Sequence, residues 1–190
     1  MTHRLYGSID RLTDSEQRPL RPIGMSVQEV AARTRDLLAR LGEAPGVQVF
    51  AGLRLRPDVP PIAFAVSAGH RVVLVEPVAW PAGAYSTTPQ GGVLCDGVYI
   101  GQTVHPLVGA VRHLRRRLHK RDVAAVVVVH PSGVGTPALP LTSPAGLSWL
   151  PPEEMCRHLV IRLRSRVCVP KKVSIVRMVM EGKRKDTRTA

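Results

Sequence analysis

The run "VVLVEPVAW", residues 72–80, begins as a buried strand would, with four bulky apolar residues in its first five positions, and it carries a single charge, Glu76. An ionised carboxylate at the end of a core strand is costly to bury unless it is paired or holds a metal. Pro77 offers a simpler outcome, because it can break the strand and release Glu76 to water. Whether Glu76 is a site or a solvated acid depends on what it faces.

A second group of chemistry-bearing residues is cationic. The stretch "RHLRRRLHK" (112–120) places Arg112, Arg115, Arg116 and Lys120 on a helix face, and residues 157–190 hold eleven Lys/Arg against two acids, a net +9. Arg164, Arg166, Lys171, Lys172, Lys183, Arg184 and Lys185 make that stretch a basic arm. Such arms bind polyanions through counterion release, without reading sequence. DNA or RNA is the partner this pattern predicts, against the plainer alternative of a solvated face and a solubilising tail. Of the formal +13, residues 23–156 contribute only +3 and residues 1–22 only +1.

The remaining candidates are weaker. Gly133-Val134-Gly135 follows an apolar run as a dinucleotide-binding turn would, but Pro137 and Pro140 argue against the helix that a phosphate loop must open. Ser132 and His130 are two residues apart, a spacing that does not bring a nucleophile to a base. Cys95, Cys156 and Cys168 are odd in number, far apart and without C-x-x-C spacing, and the seven histidines show no H-x-x-x-H. A zinc site or disulfide scaffold is not expected, and a reducing, cytoplasmic setting is. The first twenty residues do not read as a signal peptide. No apolar stretch of about 18 residues is present, so no membrane partner is expected.

The elements that must position these residues follow from periodicity. Ser26 starts a helix to about Leu41, with Val27, Val30, Ala31, Thr34, Leu37, Leu38 and Leu41 on one face, and Ser26-x-x-Glu29 fits a capping box. "VQVFAGL" (47–53), "IAFAVSA" (62–68) and "RVVLVEP" (71–77) read as strands, the last two joined by a turn at Gly69-His70, and "VLCDGVYIG" (93–101) reads as a hairpin around Asp96-Gly97. Thr103 to about Lys120 predicts a second helix, with Pro106 tolerated in its first turn. "VAAVVVVH" (123–130) predicts a central strand covered on both faces. A helix opens at Pro151-Pro152 and reaches about Leu163, and "VSIVRMVM" (173–180) reads as a possible last strand. Together these predict an α/β fold with a mixed sheet flanked by helices. One domain over 23–163 is expected, between a flexible lead (1–22) and a basic C-terminal extension (164–190).

The run "RVVLVEPVAWPAGAY", preceded by "PPIAFAVSAG" and followed by "DGVYIGQTVHPLVGAVRHLRRRL", resembles the nuclease-related domain (NERD) family, most of all its actinobacterial versions. That family is related to the PD-(D/E)xK nucleases, and the similarity spans roughly residues 26–160. The resemblance implies a restriction-endonuclease-like three-layer core. Carried over by position, Glu29 takes the helix acid, Glu76 the strand acid and metal ligand, Trp80 the aromatic, and His105-Pro106 the helix opening. Ala63 stands where the first strand should give Asp, and Val78 where acid-x-Lys needs its lysine.

Those two departures matter chemically. Such nucleases hold a divalent cation between two carboxylates, where it activates water and neutralises charge at the scissile phosphate. Glu76 alone would bind Mg2+ or Mn2+ weakly, since such ions need oxygen ligands on several sides. The resemblance therefore implies a catalytically inactive pseudoenzyme with a nucleic-acid-binding or protein-interaction role, and no cofactor beyond weakly bound Mg2+ or Mn2+. Two alternatives stand beside it. One is an active metal-dependent nuclease with displaced ligands, such as Asp58; the other is a structural interaction module that binds no nucleic acid.

Overall fold

The computed structural model describes residues 5–14, 18–55, 60–119, 121–140 and 146–163. Asp58, Lys120, the possible strand at 173–180 and the basic residues from Arg164 onward lie outside the described residues. Ser26 caps the first helix, α1 (Val27–Gly42), its hydroxyl accepting from the Glu29 amide at 3.1 Å. Glu29 turns its carboxylate to Arg33 one turn on, at 3.0 Å, in place of the capping box's return bond. The second helix, α2 (His105–Arg117), opens on His105-Pro106 and ends at the buried Leu118. The third, α3 (Pro152–Leu163), starts at the second proline of its pair.

Two sheets form between and beside these helices. The larger has six strands: β1 (Leu5–Gly7), β2 (Val47–Leu53), β3 (Ile62–Ala68), β4 (Arg71–Trp80), β8 (Asp122–Pro131) and β10 (Ser148–Leu150), in the order β1-β2-β3-β4-β8-β10. Pairs β2/β3 and β3/β4 are antiparallel, while β1/β2, β4/β8 and β8/β10 are parallel, so the sheet is mixed. The smaller sheet joins β5 (Gly83–Thr87), β6 (Gly92–Cys95), β7 (Val98–Thr103) and β9 (Pro137–Ala138) in the order β7-β6-β5-β9. Asp96 and Gly97 take φ of 50° and 81° at the turn between β6 and β7, the paired positive φ that a tight hairpin turn requires.

The alternation along the strands explains the layers. On β4, Val72, Leu74, Val78 and Trp80 pack with Leu107, Val111 and Leu114 of α2. Val73 and Val75 face the other way, into a cluster with α1 and α3 residues such as Ala31, Leu38 and Leu159. The result is an α/β three-layer core, with α2 on one face of the large sheet and α1 and α3 on the other. Strand β8 lies inside it, as its continuous apolar run predicts, and Val127, Val128 and Val129 are all fully buried.

Residues 5–14 and 18–22 are built into the fold, where their mixed charge and prolines predict a flexible lead. Strand β1 pairs with β2, and Leu12 and Leu20 are buried. Residues 18–23 run along the last part of β4, just where β3 has ended. There the Ile23 amide donates to the Ala79 carbonyl at 2.6 Å, and the Trp80 indole donates to the Arg21 carbonyl at 3.2 Å. The Thr103 amide donates to the Pro19 carbonyl and the Arg21 amide to Gln102 Oε1, at 2.8 and 2.9 Å. The segment satisfies the Ala79 carbonyl of β4, which β3 leaves unpaired, and bonds to Trp80, Gln102 and Thr103 besides, a tertiary demand invisible in local composition.

Candidate functional site

Pro77 does not break its strand. It pairs in register with Val128 inside the β4/β8 ladder, and its missing N–H falls on the edge that β3 no longer covers. Glu76 is consequently not released to water: it is 8% exposed. One carboxylate oxygen accepts from Arg18 Nη2 at 2.5 Å, and the other accepts from the Ala63 amide at 3.0 Å. Burial raises the pKa of Glu76 above the ordinary carboxylate value, and the Arg18 charge and the Ala63 amide pull it back down. Arg18 lies 58 residues upstream of Glu76, in the segment strapped along β4.

Ala63 reaches Glu76 with its backbone because β3 is irregular there. Ile62 packs on the α2 face and Phe64 on the α1 face, although two residues apart in a regular strand share a face. Gly52, in the left-handed region at φ 63°, lies across the ladder between the pairs Leu53↔Ile62 and Ala51↔Phe64. The methyl group of Ala63 packs into the α1/α3 cluster, away from Glu76. An aspartate at 63 would thus project away from Glu76, and the carried-over pairing of these two positions does not form.

The other candidates are scattered. Glu29 is half exposed on α1, which covers the opposite face of the sheet, and its partner is Arg33. Glu29 and Glu76 therefore cannot share a cation, and the expectation that both belong to one site is corrected. Val78 and Trp80 are fully buried, and Trp80 stacks on Tyr85 at a ring separation of 4.5 Å. Arg112 and Arg116 are exposed on α2, as a basic face requires. Arg115 is exposed as well, and its Nε and Nη2 also donate to the Val123 carbonyl at 2.9 and 2.7 Å, anchoring the start of β8. His130 does not meet Ser132; its Nε2 lies 2.8 Å from Thr34 Oγ1 of α1.

A divalent cation does not fit the residues around Glu76. Both of its oxygens are held by protein donors, one of them cationic, and the positions that should supply a second carboxylate and a lysine hold Ala63 and Val78. Mg2+ prefers several unencumbered oxygens in octahedral array. A guanidinium in direct contact with the only acid that lines the cavity among the described residues opposes that.

Glu76 and Arg18 instead form part of the wall of a cavity of about 500 Å³. Pro19, Leu55, Pro61 and Leu107 give it apolar sides, and His105, His113 and Arg116 of α2 bring polar and cationic groups to it. Arg18 and His113 are the members that sequence reasoning missed. His113 was within view, since it stands one turn from Gly109 on the same helix face, whereas nothing near Arg18 in the chain marks it. Compared with known proteins, the chain matches no family model, no curated protein and no solved structure.

Proposed function

We propose that this protein is a non-catalytic nucleic-acid-binding domain of NERD-like design, in which a buried ion pair occupies the place of a nuclease's metal centre. The observation that carries the reading is the commitment of both Glu76 oxygens to Arg18 and Ala63 beside a cavity reached by Arg116, His105 and His113. In a nuclease that acid would be open to a cation and the site would be net negative. Here the charges around it are predominantly positive, which suits a phosphate backbone directly, without a metal bridge. Arg112 and Arg116 extend the same polarity along α2. The +9 of residues 157–190 adds sequence-independent attraction. Among the described residues no helix is long and apolar enough to cross a membrane.

Fluorescence anisotropy of labelled DNA and RNA oligonucleotides across a salt series tests this reading. Affinity should fall roughly tenfold to a thousandfold between about 50 and 200 mM salt if a few phosphates are neutralised. Deleting residues 181–190 should flatten that slope while leaving the fold intact. Binding indifferent to salt, or none at low salt, would leave a protein-interaction module as the better account.

A further inference from the structure

Arg18 is 6% exposed, yet a guanidinium carries five N–H donors, and its one partner among the described residues is Glu76. It lines the cavity, as does Glu76, whose two oxygens each accept one bond and keep further lone pairs. A buried donor group and a buried acceptor group thus stand side by side in one wall. Proline and leucine side chains make up much of its apolar wall, surfaces against which a ring can pack, and His105, His113 and Arg116 complete the lining. The volume of about 500 Å³ is far more than a phosphate alone needs, and lies within the roughly 300–1,000 Å³ of small-ligand sites.

We infer that this cavity receives one unstacked nucleotide, with its base between the proline and leucine walls and its polar edge on Arg18 and Glu76. The sugar and phosphate lead outward to Arg116 and His113. The Watson–Crick edge of every base sets hydrogen-bond acceptors beside donors, so the Arg18–Glu76 pair can read an edge that a duplex would hide. Extruded bases are held in this way by stacking on flat side chains and hydrogen bonds to the exposed edge. The inference rests on the nucleic-acid reading above and deepens it, assigning single strands or strand ends in preference to duplex. A free nucleotide presents the same chemistry, and the test separates the two sources.

Gly109 of α2 provides a clean block, because a Cβ built there meets nothing within 4 Å and the residue borders the cavity. Guanosine 5′-monophosphate and ribose 5-phosphate would be titrated by calorimetry against the full-length protein and against Gly109→Trp, whose folding is checked by thermal melting. Both would also be used to displace a labelled single strand. The nucleotide should bind the native protein at least about tenfold more tightly than the sugar phosphate, the base adding its stacking, and Gly109→Trp should erase that difference. Duplex should bind more weakly than single strand of the same length. Equal binding of nucleotide and sugar phosphate to the native protein, needing no variant, would overturn the inference. So would a folded Gly109→Trp that binds the nucleotide as the native protein does. Nucleotide binding without oligonucleotide binding would keep the cavity's assignment, name free nucleotide as its ligand, and reject the nucleic-acid reading. Oligonucleotide binding that nucleotide cannot displace would do the reverse.

Discussion

Glu76 and His130 stand near the same end of two adjacent parallel strands, and each is almost fully buried, yet the fold accommodates them in opposite ways. His130 lies three positions beyond the partner of Glu76 in the β4/β8 register, facing α1 where Glu76 faces the α2 side. The histidine is kept neutral. Thr34 donates its hydroxyl proton to the Val30 carbonyl at 3.1 Å, so its oxygen accepts from His130 Nε2–H. Burial, helped by the nearby Arg33 charge and opposed by Glu153, pushes the pKa of His130 down to about 4. The acid is instead given a cation, Arg18, from a segment distant in sequence. A base can meet desolvation by giving up its proton within its own neighbourhood. An acid that stays charged needs an opposite charge brought to it, and here that need fixes the course of the N-terminal segment.

The largest effect should come from separating the ion pair. Arg18→Ala leaves a buried carboxylate without its counterion and should cost about 3–5 kcal/mol of unfolding free energy. The loss should be greater near pH 8 than near pH 5, where the orphaned acid can take up a proton. The joint change Arg18→Met with Glu76→Leu should recover most of it. Urea titrations of the native protein, Arg18→Met, Glu76→Leu and the joint variant measure the coupling, and independent, additive costs would show that the pair is not a unit.

The histidine gives a pH signature of smaller size. Its folded pKa of about 4 lies below the ordinary 6.5, so the unfolded chain binds the proton first as pH falls. Stability should therefore be complete above about pH 6.5 and decline toward about pH 4. The decline attributable to His130 should be at most about 3 kcal/mol, less whatever solvent screening removes. His130→Asn should flatten the curve in that window, and an unchanged slope would mean the imidazole is not desolvated as described.

Glu76 should show the opposite slope. A raised acid contributes stability that is full below the ordinary carboxyl value of 4.5 and is lost as pH rises through the folded value. The native protein should accordingly lose ground to Glu76→Gln as pH rises, visible as crossing or converging melting temperatures. A native protein that gains on Glu76→Gln over the same range would show that Arg18 outweighs burial. The smallest effect is expected at Gly109, where nothing opposes an added methyl group within 4 Å. Gly109→Ala should raise stability by about 0.5–1 kcal/mol through helix propensity alone.

The same contrast explains what was legible in the chain. The helices and the hairpins follow periodicities of a few residues, and Ser26, Asp96-Gly97 and the run 123–130 announce their elements locally. Glu76 could be recognised as anomalous because it is the only charge in the apolar run 72–80. Its solution could not be read, since Arg18 looks like any other arginine in an Arg-rich sequence and the contact closes across 58 residues. The turning of Ala63 was equally hidden: the change of face in β3 lies opposite Gly52 of the neighbouring strand, where β2 changes face as well, and neither strand's own alternation announces it. Arg115 illustrates a third limit, for its place in a basic run gives no sign of the bonds it also makes to a carbonyl of β8.

The assignment of Glu76 to Arg18, and not to a metal, can be tested on its consequence for nucleic acid. A labelled single strand, as DNA and as RNA, incubated with the purified protein and Mn2+ and then resolved on native and denaturing gels, addresses this directly. The predicted result is a shifted complex with the strand intact, unchanged in length with or without the ion. Cleavage that requires Mn2+ and disappears in Glu76→Ala would contradict it.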